Sequence, residues 1–349
     1  MGSAQVTLGG IIKQLLISGS GGGYVLPAAG RTQNRSQDVT FLSCCFSGKS
    51  SVALSVVPTV DWSTVIAFAA VVVTGMSDSW ILRRAKYVLP SDELERQRLK
   101  LQHEVIRRAF GGALLFPCVR LSGNDQVLDS GTGTGIWLLE LAPQLPPTVR
   151  LHGVDIITRL FPTTYPSNIK FSVEDVTRLP SSWSNSFTLV HQRLLLAALR
   201  KVEWPIAISE MYRVISPGGW IQLCETGSWR AGPFTARFQS LMRTLLDSKG
   251  LFMDCYKAMP LMLRNAGFVD VRVEVIQLSL CGAEGSDDRK NMCNVFRGMK
   301  TPILNVGGFG FVSSEAEFDA LVNGVEDEME KTASAQKEYF LFCARKPSL

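Results

Sequence analysis

The stretch that most constrains this chain is VLDSGTGTGIW, residues 127–137, in which an apolar run ends in an acid and three glycines follow at alternate positions. A short apolar run followed by a glycine-rich turn and a helical pattern predicts a strand–turn–helix unit. Glycines in such a turn let the backbone approach a ligand closely. The stretch therefore predicts a nucleotide-type cofactor site after the first strand of an α/β domain.

The spacing and the neighbouring acid indicate which cofactor the turn holds. The dinucleotide fingerprint is G-x-G-x-x-G, whereas here the third glycine, Gly135, comes one residue early. Asp129 stands two residues before Gly131, where a carboxylate would repel a pyrophosphate but would suit an ammonium group. S-adenosylmethionine carries that ammonium group together with an adenosine and has no phosphate. We therefore predict S-adenosylmethionine as the cofactor.

Acids also end the second and third predicted strands. Asp155 stands where a carboxylate accepts hydrogen bonds from a ribose diol in dinucleotide folds. Glu174 and Asp175 follow the third strand, where an acid can receive the adenine amino group. Any one of these acids alone could be a solvated residue or a helix cap. Together with the glycine turn, they predict a frame around one adenosyl ligand with a cationic tail.

The rest of the chain predicts the fold. Strands are predicted at 125–130, 150–156, 168–176, 186–192, 217–226, 269–280 and 337–347, with helices at 91–110 and about 202–215 among them. Strands that alternate with helices indicate an α/β fold with a mostly parallel sheet and helices on both faces. In the order of predicted elements, the final strand comes directly after another strand, which suggests an antiparallel pair at the C-terminal edge. Residues 227–257 and 281–335 fall outside the alternation and are candidate lid insertions that could line an apolar pocket.

Residues 1–84 differ from the periodic sequence that follows, since they hold few charges and show no sustained helical or strand period. We predict an N-terminal extension before a domain at 85–349; a flexible tail and a translation start placed too far upstream both stay open. The apolar run at 62–77 is shorter than the roughly 20 residues of a spanning helix. A buried element or unstructured chain is therefore favoured over a membrane anchor.

The composition limits the kinds of partner and ligand that we expect. The formal net charge of +5 is spread along 349 residues without a dense basic block, so we expect no nucleic-acid partner. Eight scattered cysteines without a C-x-x-C pair, and only three histidines, predict no metal site and a reducing, cytoplasmic location. A nuclear location stays open for a regulator. The sequence identifies no protein partner, and we expect a small-molecule acceptor.

Several segments, in order, resemble the motifs of class I S-adenosylmethionine-dependent methyltransferases: VLDSGTGTGIW, GVDI, FSVEDV and MYRVISPGGWIQLCE. The upstream YVLPSDELERQRLKLQHEVI is similar to the narrower LaeA-like group of fungal secondary metabolism, which includes both biosynthetic enzymes and regulators. The resemblance covers about residues 86–349. It implies a Rossmann-like, seven-stranded sheet with an antiparallel last strand. It also implies that the methionine moiety contacts Asp129, Gly131, Gly133 and Gly135, the ribose Asp155, the adenine Asp175 and Val176, and that Tyr87 folds over the cofactor.

Three residues are candidates for the acceptor side. His191 ends the fourth strand and titrates near neutrality, so it is the candidate general base, with local hydrogen bonding or packing as the alternative role. Arg193 could anchor an acidic substrate or pair with an acid on a neighbouring helix. Glu225 is a weaker candidate for binding an amine or hydroxyl.

Two functions follow from this pattern. The first is an enzyme that methylates a hydroxyl, carboxyl or amine of a fungal natural product. The alternative is a methyltransferase-like regulator of secondary-metabolite gene expression that acts through protein partners. A deep apolar acceptor pocket beside the cofactor would favour the enzyme, and a blocked pocket would favour the regulator.

Overall fold

A computed structural model describes residues 93–348, which form a seven-stranded sheet in the order β3-β2-β1-β4-β5-β7-β6. Strands β1 to β5 are parallel, and β7 lies antiparallel between β5 and β6. The strands are β1 Gln126–Ser130, β2 Arg150–Asp155, β3 Ile169–Val173, β4 Phe187–Arg193, β5 Ile215–Arg230, β6 Val269–Ser279 and β7 Gln336–Arg345. The predicted α/β fold with an antiparallel C-terminal strand is confirmed.

Eight α-helices surround this sheet in the described part of the chain. They are α1 Glu93–Ala109, α2 Ile136–Leu141, α3 Trp204–Val214, α4 Pro233–Ser248, α5 Cys255–Asn265, α6 Ser286–Gly298, α7 Lys300–Leu304 and α8 Glu315–Lys331. The helix predicted at 91–110 corresponds to α1, whose first turn carries acids and whose last turn carries arginines, as the helix dipole favours.

The two faces of the sheet belong to different cores. Along β4, Val190 packs with α3 and α5, whereas its neighbour Leu189 packs with α2 on the opposite face. Alternation along a strand therefore decides on which face of the sheet a polar side chain lies. Residues 129, 191 and 193 share the face of Leu189, on which α1 and α2 lie.

The segments 227–257 and 281–335, predicted as insertions, contain α4 and α6 to α8. Helix α8 packs against both α4 and α6, and α6 also packs against α1. These helices stand over the carboxyl edge of the sheet, where α4 and α6 line a large cavity.

The prediction for residues 1–84 and the apolar run at 62–77 lie outside the described residues, as does Tyr87. Within residues 93–348, no helix is long and apolar enough to cross a membrane.

Candidate active site

The glycine turn after β1 has the backbone conformation that its sequence requires. Gly131, Gly133 and Gly135 have φ values of 71°, 56° and 70°, in the left-handed region that side chains rarely adopt. A Cβ at Gly135 would also lie 2.6 Å from the Phe171 ring, and one at Gly131 would lie 2.9 Å from Leu195. Glycine is therefore needed here both for conformation and for space, and the backbone of the turn is left open to the cavity.

Asp129 lies behind the glycine turn instead of facing the cavity. Its carboxylate accepts a hydrogen bond of 2.5 Å from the Thr132 hydroxyl, and its other oxygen lies 2.7 Å from His191 Nδ1. The side chain is 3% exposed and is absent from the cavity lining. Asp129 thus fixes the turn to β4, and the predicted direct contact with the methionine moiety lacks geometric support.

Asp155 ends β2 and reaches the cavity wall. Its two oxygens accept hydrogen bonds from the backbone N–H groups of Gly133, at 2.8 Å, and Ile157, at 3.1 Å. Burial raises the pKa of the Asp155 carboxyl, while these backbone donors act in the opposite direction. Since each carboxylate oxygen can accept more than one hydrogen bond, Asp155 can also receive two hydroxyl groups from the cavity.

Asp175 and Val176 line the same cavity beyond the end of β3. One oxygen of Asp175 accepts hydrogen bonds from the Thr177 backbone N–H, at 2.9 Å, and from the Thr177 hydroxyl, at 2.6 Å. This turn orients the carboxylate. Val176 is half-buried and packs against the main core, so it offers an apolar surface next to the acid.

One cavity of about 800 Å³ brings these residues together with the helical insertions. Its first half consists of the glycine turn, Asp155 to Ile157 and Glu174 to Arg178. Its second half is mainly apolar and is lined by Leu195, Trp229, Met242, Met292, Val295, Phe296 and Met299. Its volume falls within the range typical of small-molecule sites, about 300–1,000 Å³. The cavity thus joins a polar half at the glycine turn to an apolar half under the helical insertions.

The predicted general base lies outside the large cavity. His191 is 3% exposed, its ring stacks on Trp137 with centroids 3.7 Å apart, and it borders a separate cavity of about 280 Å³ on the α1 and α2 side of the sheet. Burial lowers its pKa, although the nearby Asp129 carboxylate opposes that effect. The geometry corresponds to the alternative role, local hydrogen bonding and packing.

Arg193 does reach the large cavity, and it borders the smaller one as well. Its guanidinium Nη2 lies 2.8 Å from His103 Nδ1, and His103 Nε2 lies 2.9 Å from a Glu140 carboxylate oxygen. Burial lowers the pKa of both His103 and Arg193. His103 thus lies between an acid on α2 and Arg193, and its contact with Arg193 holds the guanidinium at the cavity wall.

Glu225 lies beneath the cavity wall and not in it. Its side chain is 1% exposed, and Oε1 accepts a hydrogen bond of 2.8 Å from the Leu195 backbone N–H. Burial raises its pKa to about 8, so the carboxyl is protonated at neutral pH. Glu225 supports the loop after β4, and its predicted contact with the acceptor lacks geometric support.

Sequence reasoning missed a buried polar group at the far side of the cavity. Lys337 Nζ donates to Asp288 Oδ1 at 2.8 Å and to the Tyr339 hydroxyl at 2.6 Å. Asn291 and Arg98 line the same wall. A signal was present in β7: Lys337 alternates in phase with Tyr339 and Leu341, whose side chains are buried. A lysine on the buried face of a strand indicates a buried partner or a ligand.

No group of histidine, cysteine and acidic side chains in residues 93–348 is arranged to hold a metal ion.

Comparison with known proteins places this site in a family. Residues 127–219 match the family model described as a methyltransferase domain. The N-methyltransferase gliN of Aspergillus fumigatus is 30% identical over 260 residues, which cover 70% of this chain and 91% of that protein. The N-methyltransferase tcpN of Claviceps purpurea is 30% identical over 270 residues, with 72% and 94% covered.

An acid-framed glycine turn on a sheet of this order, with a cavity that extends under a helical cover, defines an S-adenosylmethionine-dependent transferase. The chain belongs to the class I S-adenosylmethionine-dependent methyltransferases, in the group that acts in fungal secondary metabolism. It is an enzyme that transfers a methyl group from S-adenosylmethionine to a small-molecule acceptor.

The regulator branch of the group is less similar to this chain. The secondary metabolism regulator laeA of Fusarium oxysporum is 27% identical over 219 residues, which cover 58% of this chain and 66% of that protein. The biosynthetic alternative is therefore favoured over the regulatory one, and the open cavity agrees with it.

The described residues fit the cofactor. A Cβ at Gly133 would meet only Leu99, at 3.7 Å, so the glycine leaves backbone surface open beside the cavity. Asp155 retains acceptor capacity for the ribose diol, and Val176 offers an apolar surface next to Asp175 for the adenine. The cofactor can thus be placed along the first half of the cavity.

Proposed function

We propose that this enzyme methylates a nitrogen atom of a small-molecule natural product. The observation that carries the proposal is the single cavity that joins the glycine turn to an apolar chamber under α4 and α6. The choice of nitrogen is supported by the relatives, which are named N-methyltransferases. Hydroxyl and carboxyl acceptors are the alternatives that an acceptor screen would reveal.

In this proposal, the chain's own residues hold the cofactor as follows. Asp155 accepts the ribose hydroxyls, Asp175 receives the adenine amino group, and Val176 packs on the adenine ring. The open backbone of Gly131 and Gly133 borders the methionine moiety, and Asp129 fixes the turn through Thr132 and His191. Gly135 lies outside the cavity lining and packs against Phe171, so its predicted contact with the methionine moiety lacks geometric support. Contact of Tyr87 with the cofactor stays a prediction, since Tyr87 lies outside the described residues.

The bound cofactor supplies an activated methyl group on a sulfonium, and its departure leaves a neutral thioether. The protein therefore needs to align the acceptor nitrogen and exclude water more than it needs to stabilise developing charge. The apolar chamber supplies both conditions: Trp229, Met292 and Phe296 enclose a small molecule and exclude water. The acceptor nitrogen must present a lone pair toward the glycine-turn half.

The acids among the described cavity-lining residues lie in the cofactor half or, like Glu203, pair with an arginine, so none of them faces the apolar half as a general base. His191 borders the other cavity, and burial raises the pKa of the Tyr339 hydroxyl well above its usual value. We infer that the acceptor nitrogen enters with its lone pair available, and that the protein positions it. Arg193 borders both the large and the small cavity. There its fixed guanidinium serves as a hydrogen-bond donor to an oxygen of the cofactor or of the acceptor.

Asp155→Asn tests the cofactor half of the proposal. The substitution removes the charge that accepts the ribose hydroxyls, and a lost hydrogen bond to a charged group costs about 1.5–3 kcal/mol. We expect S-adenosylhomocysteine to bind at least tenfold more weakly to full-length Asp155→Asn than to the wild type. Isothermal titration calorimetry gives the two dissociation constants.

The matched control is Asp327→Asn, the same chemical change on α8, where Asp327 pairs with Lys331 at the surface. Circular dichroism establishes that each variant is folded. Equal affinity of wild type and Asp155→Asn would contradict the assignment of Asp155. A folded wild type that does not bind S-adenosylhomocysteine would overturn the proposed function itself.

A further inference from the structure

Within residues 93–348, Asn291 Oδ1 and Trp229 Nε1 are buried in the wall of the apolar chamber and lack a hydrogen-bond partner. The two residues are 1% and 5% exposed. Both residues line the large cavity. A buried polar atom without a partner destabilises the folded protein, and a ligand that bonds the atom removes that penalty.

Asn291 belongs to a polar stripe on α6. Asp288 precedes it by three residues and therefore shares its side of the helix, and Met292 and Val295 continue that side toward the apolar chamber. Asp288 bonds Lys337, and Asn291 lies about one helical turn from Asp288 along α6. The wall is thus polar at the start of α6 and apolar farther along it.

Lys337 has donor capacity left for a ligand. An ammonium group carries three N–H donors, of which two go to Asp288 Oδ1 and the Tyr339 hydroxyl. The tyrosine hydroxyl accepts from the lysine and keeps its own proton to donate. Both side chains line the cavity, so this end of the wall offers donors next to the Asn291 acceptor.

The charges on this wall are already paired. Lys337 pairs with Asp288 at 2.8 Å, and Arg98 binds Glu95 through two hydrogen bonds of 2.7 Å. All four side chains are at most 6% exposed. A charged acceptor group brought against these two closed ion pairs would gain no new ion pair there. This wall, as distinct from the Arg193 side of the cavity, therefore favours an uncharged group.

We propose that Asn291, Trp229 and Lys337 determine acceptor specificity: they recognise an uncharged molecule with a hydrogen-bonding end and an apolar body. An N–H or O–H group of that molecule donates to Asn291 Oδ1. An oxygen of the same molecule accepts from Trp229 Nε1 or Lys337 Nζ. The apolar body lies along Met292, Val295 and Phe296. This inference rests on the proposed function, since it names the acceptor class of the same cavity.

Three rigid probes of similar size test this recognition. Oxindole presents an N–H and a carbonyl on an apolar body, 1-methyloxindole lacks the N–H, and indane-2-carboxylate is charged. Full-length protein saturated with S-adenosylhomocysteine is titrated with each probe by ligand-observed NMR. We expect the wild type to bind oxindole about tenfold more tightly than 1-methyloxindole, and indane-2-carboxylate the most weakly of the three.

Asn291→Leu removes the carboxamide at similar volume, and Asn294→Leu makes the same change on the same helix outside the cavity lining. We expect Asn291→Leu to bind oxindole about tenfold more weakly and no longer to distinguish it from 1-methyloxindole. Asn294→Leu should retain the wild-type preference. A purely structural role for Asn291 would weaken both probes equally.

The outcomes separate the two proposals. Unchanged S-adenosylhomocysteine affinity in Asn291→Leu, with the preference for oxindole lost, supports the inference. Wild-type protein that does not bind oxindole, that prefers the carboxylate, or whose preference survives in Asn291→Leu overturns it and leaves the cofactor half intact. Wild type that fails to bind S-adenosylhomocysteine removes the proposed function.

Discussion

Glu225 was a candidate for binding the acceptor, but in the structure its buried carboxyl affects the stability of the fold. Its pKa is raised from the ordinary 4.5 to about 8 by burial, with only partial compensation from the backbone donors of the loop at 194–196. Between about pH 5 and 8, the folded state therefore holds a proton that the unfolded chain has released. Because the folded state binds more protons in this window, the free energy of unfolding falls as pH rises.

Glu225→Gln should remove this pH dependence, because a carboxamide keeps an oxygen for the Leu195 N–H and does not ionise. We expect the variant to gain stability over the wild type as pH rises from 5.5 to 8, by an amount on the order of a few kcal/mol. Urea unfolding at the two pH values measures the difference. Glu284→Gln, at an exposed position, is the control. A difference that does not grow with pH would contradict the buried-carboxyl explanation.

The residue scale also explains which site predictions could be made from the sequence. Asp155 and Asp175 could be found because strand ends in a parallel sheet meet at one edge, and a carboxylate there faces a cavity. Asp129 and His191 also stand at strand ends, but their side chains point to the α2 face, where Trp137 covers His191. The sequence shows alternation along a strand, but not which of the two faces holds the ligand.

At the scale of elements, the alternation of strands and helices sufficed to predict the sheet, and the deviations have local causes. Strand β5 was predicted at 217–226 but extends over Ile215–Arg230. Gly227 and Ser228 suggest a turn in the sequence, whereas the structure has a register shift between Thr226 and Trp229 within a continuing strand. A Cβ at Gly227 would lie 2.4 Å from Phe340, so this glycine serves close packing and not chain reversal.

The acceptor wall could not be predicted, because it joins elements far apart in the chain. Asp288 and Asn291 come from α6, Lys337 from β7 and Trp229 from the end of β5. Helical spacing groups the first two, and strand alternation marks the lysine as inward-facing, but neither pattern shows that α6 lies against β7. Long-range pairing of this kind depends on how the insertions pack, which local sequence patterns do not encode.

The start of α8 offers a prediction at the same scale, because this helix supports both α4 and α6. Ser314 has an extended backbone, and its hydroxyl accepts a hydrogen bond of 3.2 Å from the Glu317 N–H. The Glu317 carboxylate accepts in return from the Ser313 backbone and hydroxyl, both at 2.8 Å. This arrangement is a variant of the capping box.

Ser314→Ala should lower the free energy of unfolding by about 1 kcal/mol, which is a fall of about 2–4 °C in Tm for a chain of this size. Thermal melting followed by circular dichroism measures it. Ser240→Ala is the control, since Ser240 lies exposed within α4 and its hydroxyl bonds the Ala236 carbonyl of the same helix. Because alanine is the stronger helix former, this change should leave the Tm unchanged or raise it by about 1–2 °C at most. An equal effect of both changes would show that the cap does not stabilise α8.

At the scale of the whole molecule, the sheet is asymmetric in a way that links stability to function. Strand β4 lies between β1 and β5 and is buried along most of its length, whereas β6 pairs with β7 alone among the described strands and is exposed at most positions. The ligand-bearing edge follows β1, β2, β3 and β4; of these, β3 is itself an edge strand, and the other three lie inside the sheet. The catalytic half thus rests mainly on interior strands, and β6, the edge strand at the other end of the sheet, is remote from it.

Hydrogen exchange tests this distribution, because local opening is easiest where few buried contacts hold a strand. We expect amides of β1 and β4 to exchange slowest and those of β6 fastest among the seven strands, measured by mass spectrometry on the full chain. Saturating S-adenosylhomocysteine should add protection at residues 131–135, 155–157 and 174–177 and leave β6 unchanged. Protection of β6 equal to that of β4 would contradict the expected order. Protection added at β6 and not at the glycine turn would place the ligand elsewhere, since binding stabilises the elements that contact it.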